Sequence, residues 1–232
     1  MVSETEGLFI QDNKSYSDKV FYCPACWKKK TTQCFTSYLL AYVTVLIGGI
    51  IWVMVSPKNE FAWLVLHIGL FGCFTIATTV FHELGHVLAT FAVRAKILQV
   101  TIGLGRILYR RNFLGIEWQF CMIPVCGFVI PNISSIIFYR TRSFLISLGG
   151  PLANCFLGIT AMLVLRQVSS PWLATIVRSF MIANIFILIH GLWPRTVHFA
   201  GQNTPSDGLA LLTIPFMSKS EIKREMGGFQ NL

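Results

Sequence analysis

The chain has 232 residues, 54% of them apolar and only 12% charged, and its mean hydropathy is +0.62. That balance excludes a soluble globular domain and describes an integral membrane protein with room for one compact domain. The net charge of +9 does not imply nucleic acid, because the basic residues cluster beside the apolar stretches, as the positive-inside rule expects.

From Met1 to Lys30 the chain is polar and mixed in charge. No apolar leader core lies near Met1, so a cleaved signal peptide is not expected. Cys23-Pro24-Ala25-Cys26 and Cys34 follow. A lone C-x-x-C is a weak signal, since a structural zinc site needs four ligands and only these thiols are evident. Two readings stay open: a small metal knuckle completed by Cys34 or another chain, and unpaired structural thiols. Cys73, Cys121, Cys126 and Cys155 stand in apolar context and read as small core residues.

Four segments meet the length of about 20 apolar residues that a bilayer requires. They are Phe35 to Ser56, Phe61 to Val93, Ser143 to Leu165, and Pro171 to Trp193, the last interrupted by Arg178. With the N-terminus assigned to the cytoplasm, Lys28 to Lys30, the basic residues from Arg94 to Arg142, and Arg195, Lys219, Lys223 and Arg224 all fall inside. Lys58 and Arg166 lie in short outer turns, with Arg178 near that surface. The expected organisation is a cytoplasmic N-terminal segment over 1–34, a membrane domain over 35–217 and a cytoplasmic tail over 218–232, read as a surface helix or loose tail.

The second span carries His82-Glu83-Leu84-Gly85-His86, and Glu83 is its only charged residue between Leu64 and Val93. On a helix the histidines fall at i and i+4 on one face, where they can share a Zn²⁺ while Glu83 acts as general base. Ionisable residues are costly in hydrocarbon, so their presence at this depth points to function.

The next segment, Ala95 to Asn132, does not read as a helix. Val100 to Gly105 and Ile116 to Phe120 read as short strands, with Arg110-Arg111-Asn112 nearest the turn and a loop at Pro124-Val125-Cys126-Gly127-Phe128. Non-helical backbone at membrane depth needs protein or a water-filled cavity beside it. The hairpin is therefore expected to return to the membrane and pack beside the histidines.

The third span carries Gly149-Gly150-Pro151-Leu152-Ala153-Asn154 in its first half. At 1.5 Å per residue, His86 lies about 12 Å from Arg94, and this segment lies roughly 10 to 18 Å from Arg142. The two features therefore share a depth on the cytoplasmic side. Asn154 needs a partner on an apolar helix: its amide could orient the attacking water or donate to a developing oxyanion, or it could join helices as polar glue.

Catalytic zinc has three protein ligands and one open position, so one ligand remains to be found among ten acidic residues. Setting aside the tails, the external turn and Glu83 leaves Glu117 in the hairpin and Asp207 after the fourth span. Asp207, in Pro205-Ser206-Asp207-Gly208 beside the apolar run Leu209 to Phe216, is the better candidate. His190 and His198 stay open as ligands, and the connection Arg195 to Pro205 is a candidate rim for water entry.

These residues resemble the site-2 protease family of intramembrane zinc metalloproteases. The zinc motif, the glycine-rich Ile102-Gly103-Leu104-Gly105, the segment Ile123 to Val129, Gly149 to Asn154, and Asp207-Gly208 follow the family's order and spacing over about Leu64 to Phe216. The resemblance implies one catalytic zinc ion held by His82, His86 and Asp207, with Glu83 as base and Asn154 in a substrate-binding or oxyanion role. It also implies, as substrate, a membrane-embedded or membrane-adjacent segment of another protein or peptide, cut near the cytoplasmic face. The chain departs from the family at Gly191-Leu192-Trp193-Pro194, which keeps a proline but lacks the family's preceding Asn, and in a longer connection from Pro194 to Asp207.

The expected fold is thus an α-helical integral membrane protein of about four transmembrane helices, with a membrane-associated β-hairpin between the second and third. The expected location is a bacterial cytoplasmic membrane with both termini inside, and the lipid bilayer is the expected surrounding. Two other functions compete: a non-proteolytic scaffold, sensor or immunity protein of the same fold, and a metal transporter. Glu83 favours the enzyme, because neither alternative needs a base between the histidines.

Overall fold

The computed structural model describes residues 24–133, 136–199 and 202–228. Cys23, and with it most of the expected N-terminal segment, lies outside the described residues, as do the side chains of Cys26, Cys34 and His198. The elements in chain order are α1 (Pro24–Val55), α2 (Glu60–Ala92), β1 (Lys96–Phe113), β2 (Ile116–Asn132), α3 (Tyr139–Leu165), α4 (Pro171–Leu192), β3 (Thr196–Phe199), β4 (Gln202–Pro205), α5 (Asp207–Thr213) and α6 (Lys219–Gly228). A single 3₁₀ turn, Ile214–Phe216, extends α5.

Among the described residues three helices are long and apolar enough to cross a membrane: α2, α3 and α4. Within α1, Leu40–Val55 is a shorter apolar stretch. The helix starts follow local chemistry. Asn59 caps α2 by accepting from the Phe61 N–H at 2.9 Å, and Pro171, with its φ already set, opens α4.

The burial pattern of α2 is inverted relative to a soluble protein. Phe81 and Leu88 are 44% and 68% exposed while His82 and His86 are 7% exposed, so the apolar residues face outward and the polar ones inward. A water-facing surface would not be built this way; a lipid-facing one would. Cys73, expected in the core, is exposed on the same outward surface of α2, where a thiol costs little in hydrocarbon.

α2 is the central helix and packs against α1, α3 and α4. Its contact with α3 is between glycines. A Cβ on Gly149 would lie 2.5 Å from the Gly85 carbonyl oxygen, and one on Gly85 would collide with the Gly149 carbonyl. Backbones this close are the usual solution where lipid removes the hydrophobic drive between helices. Against α4 the contact is aromatic: Trp63–Trp172, Phe71–Phe186 and Phe74–Phe180 meet edge to face at 5.1, 5.5 and 5.3 Å between ring centres.

The hairpin differs from the sequence expectation in two respects. Its turn is at Leu114-Gly115, with φ of 55° and 74°, both in the left-handed region that a two-residue type I′ turn demands. The expected loop at Pro124 to Phe128 is instead part of β2. The register explains why: Gln99, Val100, Thr101 and Ile102 each pair twice, once within Glu117 to Phe120 and once within Gly127 to Ile130. The second half of β2 therefore returns along the free edge of β1, satisfying backbone groups that a loop would leave bare. Ile97, Val100 and Ile102 of β1, with Ile116 just after the turn, pack on Val87 of α2.

Two further elements go beyond the sequence expectation. The connection from α4 to Asp207 is a short antiparallel pair, β3 with β4. In the tail, Ile222 of α6 is buried with Ala95, Ile133, Tyr139 and Ile146 beneath the start of α3.

Candidate metal centre

The second half of α2 supplies His82, Glu83 and His86, all buried. His86 Nε2 lies 3.2 Å from His82 Nε2. Asp207 closes the triangle, with Oδ2 at 2.9 Å from His82 Nε2 and Oδ1 at 3.4 Å from His86 Nε2. Asp207 is placed by Ser206, the N-cap of α5, whose hydroxyl accepts from Leu209 N at 3.3 Å and Arg195 N at 3.1 Å. Gly208 lets α5 approach α4, since a Cβ there would collide with the Leu192 carbonyl.

Both histidines are anchored through Nδ1. His86 Nδ1 lies 2.7 Å from the Ile146 carbonyl oxygen, and His82 Nδ1 lies 2.6 Å from Asn154 Oδ1. The Ile146 and Asn154 oxygens accept, so each Nδ1 carries a hydrogen towards them, with Gly150 N at a longer 3.3 Å from His86 Nδ1, and each Nε2 is the nitrogen that would face a metal.

The residues fit a zinc ion. Tetrahedral zinc with bonds of about 2.0–2.1 Å has its donors about 3.3 Å apart; the two Nε2 atoms are 3.2 Å apart, and each faces a different oxygen of the Asp207 carboxylate, at 2.9 and 3.4 Å. Space is kept by Gly150, where a Cβ would lie 2.6 Å from His82 Nε2 and collide with His86 Nε2. Among the described residues these three form a group of His, Cys, Asp or Glu with donor atoms within 4.8 Å of one another. Burial opposes the charge on Asp207, but His86 and His82 more than offset it and hold the carboxyl well below its ordinary range.

Glu83 points into the same hollow. Its Oε2 is buried and has no hydrogen-bond partner among the described residues. The β2 backbone roofs it: a Cβ on Gly127 would lie 2.7 Å from Glu83 Cγ. Beside it, burial pushes the Cys126 thiol up to about 12, and the Glu83 charge pushes the same way. That thiol stays protonated near neutral pH and offers no thiolate.

The other sequence candidates stand apart. Glu117 pairs with Arg110 at 3.0 Å in the hairpin. His190 bonds Arg195 through its ring nitrogen at 3.0 Å. Asn154 is brought in, but to the Nδ1 side of His82. Sequence reasoning missed Asn184 of α4, whose Oδ1 lies 3.1 Å from Asn154 Nδ2. The signal existed, since an Asn in an apolar span is as costly at 184 as at 154.

Comparison with known proteins gives the family. The model of peptidase family M50 matches residues 71–225, which include every residue of the centre. A 48-residue segment is 38% identical to a Treponema pallidum (strain Nichols) protein named "Putative zinc metalloprotease". That segment spans 21% of this chain and 11% of the relative. With the family match running over more than half of its length, this chain belongs to peptidase family M50, the site-2 protease family.

Proposed function

We propose that this protein is a zinc-dependent intramembrane endopeptidase. It hydrolyses a peptide bond in a membrane-embedded or membrane-adjacent segment of a protein or peptide, near the cytoplasmic face of a bacterial cytoplasmic membrane. α1 serves as a fourth span, the hairpin lies against the membrane, and both termini are cytoplasmic. The observation that carries the reading is the convergence of His82 Nε2, His86 Nε2 and Asp207 on one point, with a buried, unpartnered carboxylate oxygen beside it.

His82, His86 and Asp207 would hold the zinc. When bound, zinc supplies a Lewis acid for the scissile carbonyl and brings the pKa of its water towards ~7. Glu83 takes a proton from the attacking water through its free oxygen and returns it to the leaving amine. The β2 backbone over Glu83 restricts access to that oxygen. A helical substrate hides its peptide bonds in its own hydrogen bonds, so the segment that is cut must unwind, and pairing with a hairpin edge would hold it extended.

The test is processing of candidate membrane substrates by wild type and Glu83→Ala, with zinc measured on both purified proteins. Processing lost with zinc retained is expected. Equal processing by the two proteins would sink the reading, and wild type without stoichiometric zinc would favour a non-proteolytic membrane scaffold of the same fold.

A further inference from the structure

We propose that Asn184, which touches none of the metal donors, orients the Asn154 amide so that its oxygen accepts from His82 Nδ1 and Nε2 is the nitrogen left for the metal. The proposal rests on the metal-centre reading above. Both amides are buried, Asn184 at 0% and Asn154 at 1% exposure, and together they form a chain with a direction. The Phe180 carbonyl can only accept, so Asn184 must turn Nδ2 to it, at 2.9 Å. Asn184 Oδ1 then faces Asn154 and can only accept, so Asn154 must present Nδ2 to it, at 3.1 Å. The Thr78 carbonyl, 3.4 Å from the same Nδ2, imposes the same choice.

Asn154 Oδ1 is left to face His82 Nδ1 at 2.6 Å. An acceptor there requires the hydrogen on Nδ1, which leaves Nε2 as a lone pair for the metal. Turned over, the same amide would present its NH₂ to Nδ1 and favour the tautomer with Nε2–H, which cannot ligate. Two backbone carbonyls thus decide, through two side chains, which nitrogen of His82 is free. His86 needs no such relay, because its Nδ1 meets a backbone carbonyl directly. Asn154 is by this account a positioning residue and not an oxyanion donor.

The experiment is a double-mutant cycle on the full-length protein: wild type, Asn184→Leu, Asn154→Asp and the double variant. Zinc affinity is read by competition with a chromogenic chelator. A carboxylate at position 154 accepts through either oxygen and has no direction to set. Asn184→Leu should therefore weaken zinc binding about ten-fold when Asn154 is intact, the low end of what outer partners of a ligand are worth, and less than two-fold in the Asn154→Asp background. An equal loss in both backgrounds would mean that residue 184 acts by packing alone, and unchanged affinity in Asn184→Leu would equally overturn the relay. Should Asn184→Leu fail to fold, Asn184→Ala carries the same expectations without added bulk. ¹⁵N-histidine spectra of the metal-free Asp207→Ala protein, which lacks the carboxylate that faces Nε2 at 2.9 Å, give an independent readout: Nδ1–H at His82 when Asn184 is present, a mixture of tautomers when Asn184→Leu is added. A wild type that binds no zinc, with this tautomer change seen in the Asp207→Ala background, would refute the metal centre and leave the relay standing.

Discussion

In its first half α2 buries Ala62, Leu66, Gly69 and Gly72, while in its second half it buries Thr78, Thr79, His82, Glu83, Gly85, His86, Val87 and Thr90, all but Gly85 and Val87 polar in their side chains. The first half has almost no polar group to satisfy and meets α1 by shape: a Cβ on Gly69 would lie 2.7 Å from Leu46 Cα. In the second half the hydroxyls of Thr78, Thr79 and Thr90 bond helix carbonyls, and both imidazoles are held at each ring nitrogen. Among the buried side-chain atoms of α2, the one without a partner among the described residues is Glu83 Oε2. Unpaired polar atoms are expensive away from water, so in a helix where the rest are paired, the bare oxygen is the group to which the proposed reaction would bring a partner.

If the second half is the working half, the largest effect belongs to Gly150→Val, which fills the place between the two Nε2 atoms. Zinc content should fall to none and cleavage should vanish. Stripping wild type with a chelator should give the same loss, restored by added zinc in wild type but not in the variant. Next comes Glu83→Gln, for which we expect a loss of about 10²–10⁴-fold in kcat with zinc content unchanged. A glutamine enzyme that cleaves at more than a tenth of the wild-type rate would remove Glu83 from the reaction.

The sequence carries much of this and for identifiable reasons. A bilayer demands long apolar runs, so α2, α3 and α4 are visible as spans, though polar residues such as Tyr139 to Arg142 extend α3 beyond its apolar part. His82, Glu83 and His86 sit within about one helical turn, and acids are so few that elimination leaves Glu117 and Asp207, of which the context beside an apolar run favours Asp207. What is not legible depends on pairing between distant residues. Nothing local says that Gln99 to Ile102 take partners on both edges, so Gly127 reads as a turn when it is a strand residue pressed on Glu83. Asn184 escapes a local reading because its partner is 30 residues away; the cost of an amide in hydrocarbon is visible, its use is not.

A matched pair of substitutions sharpens the comparison. Gly69→Ala would drive a methyl into the α1 backbone, and Gly85→Ala would drive one into the α3 backbone. Each should destabilise by about 1–3 kcal/mol, as overpacking does, read as a lowered Tm in detergent. Their effects on zinc should differ. Moving α3 shifts the Ile146 carbonyl and Asn154 away from both imidazoles, so Gly85→Ala should weaken zinc binding, while Gly69→Ala should leave it unchanged. Equal zinc loss would mean that α1 also shapes the centre.

The smallest effect is expected from a polar contact between the first half of α2 and α4, His67 Nδ1 to Ser179 Oγ at 2.7 Å. It resembles the His82–Asn154 contact, an imidazole and a buried side chain from a neighbouring helix, yet no third ligating group stands beside it among the described residues. Ser179→Ala should therefore cost only what an interhelical hydrogen bond in a membrane is worth, about 0.6 kcal/mol, with cleavage within two-fold of wild type. Asn154→Ala, which removes the same kind of contact 15 residues along α2, should cost most of the zinc affinity. If the two substitutions had equal effects on cleavage, the division of α2 into a packing half and a working half would be wrong, because the worth of a buried histidine contact would then not depend on what its other nitrogen faces.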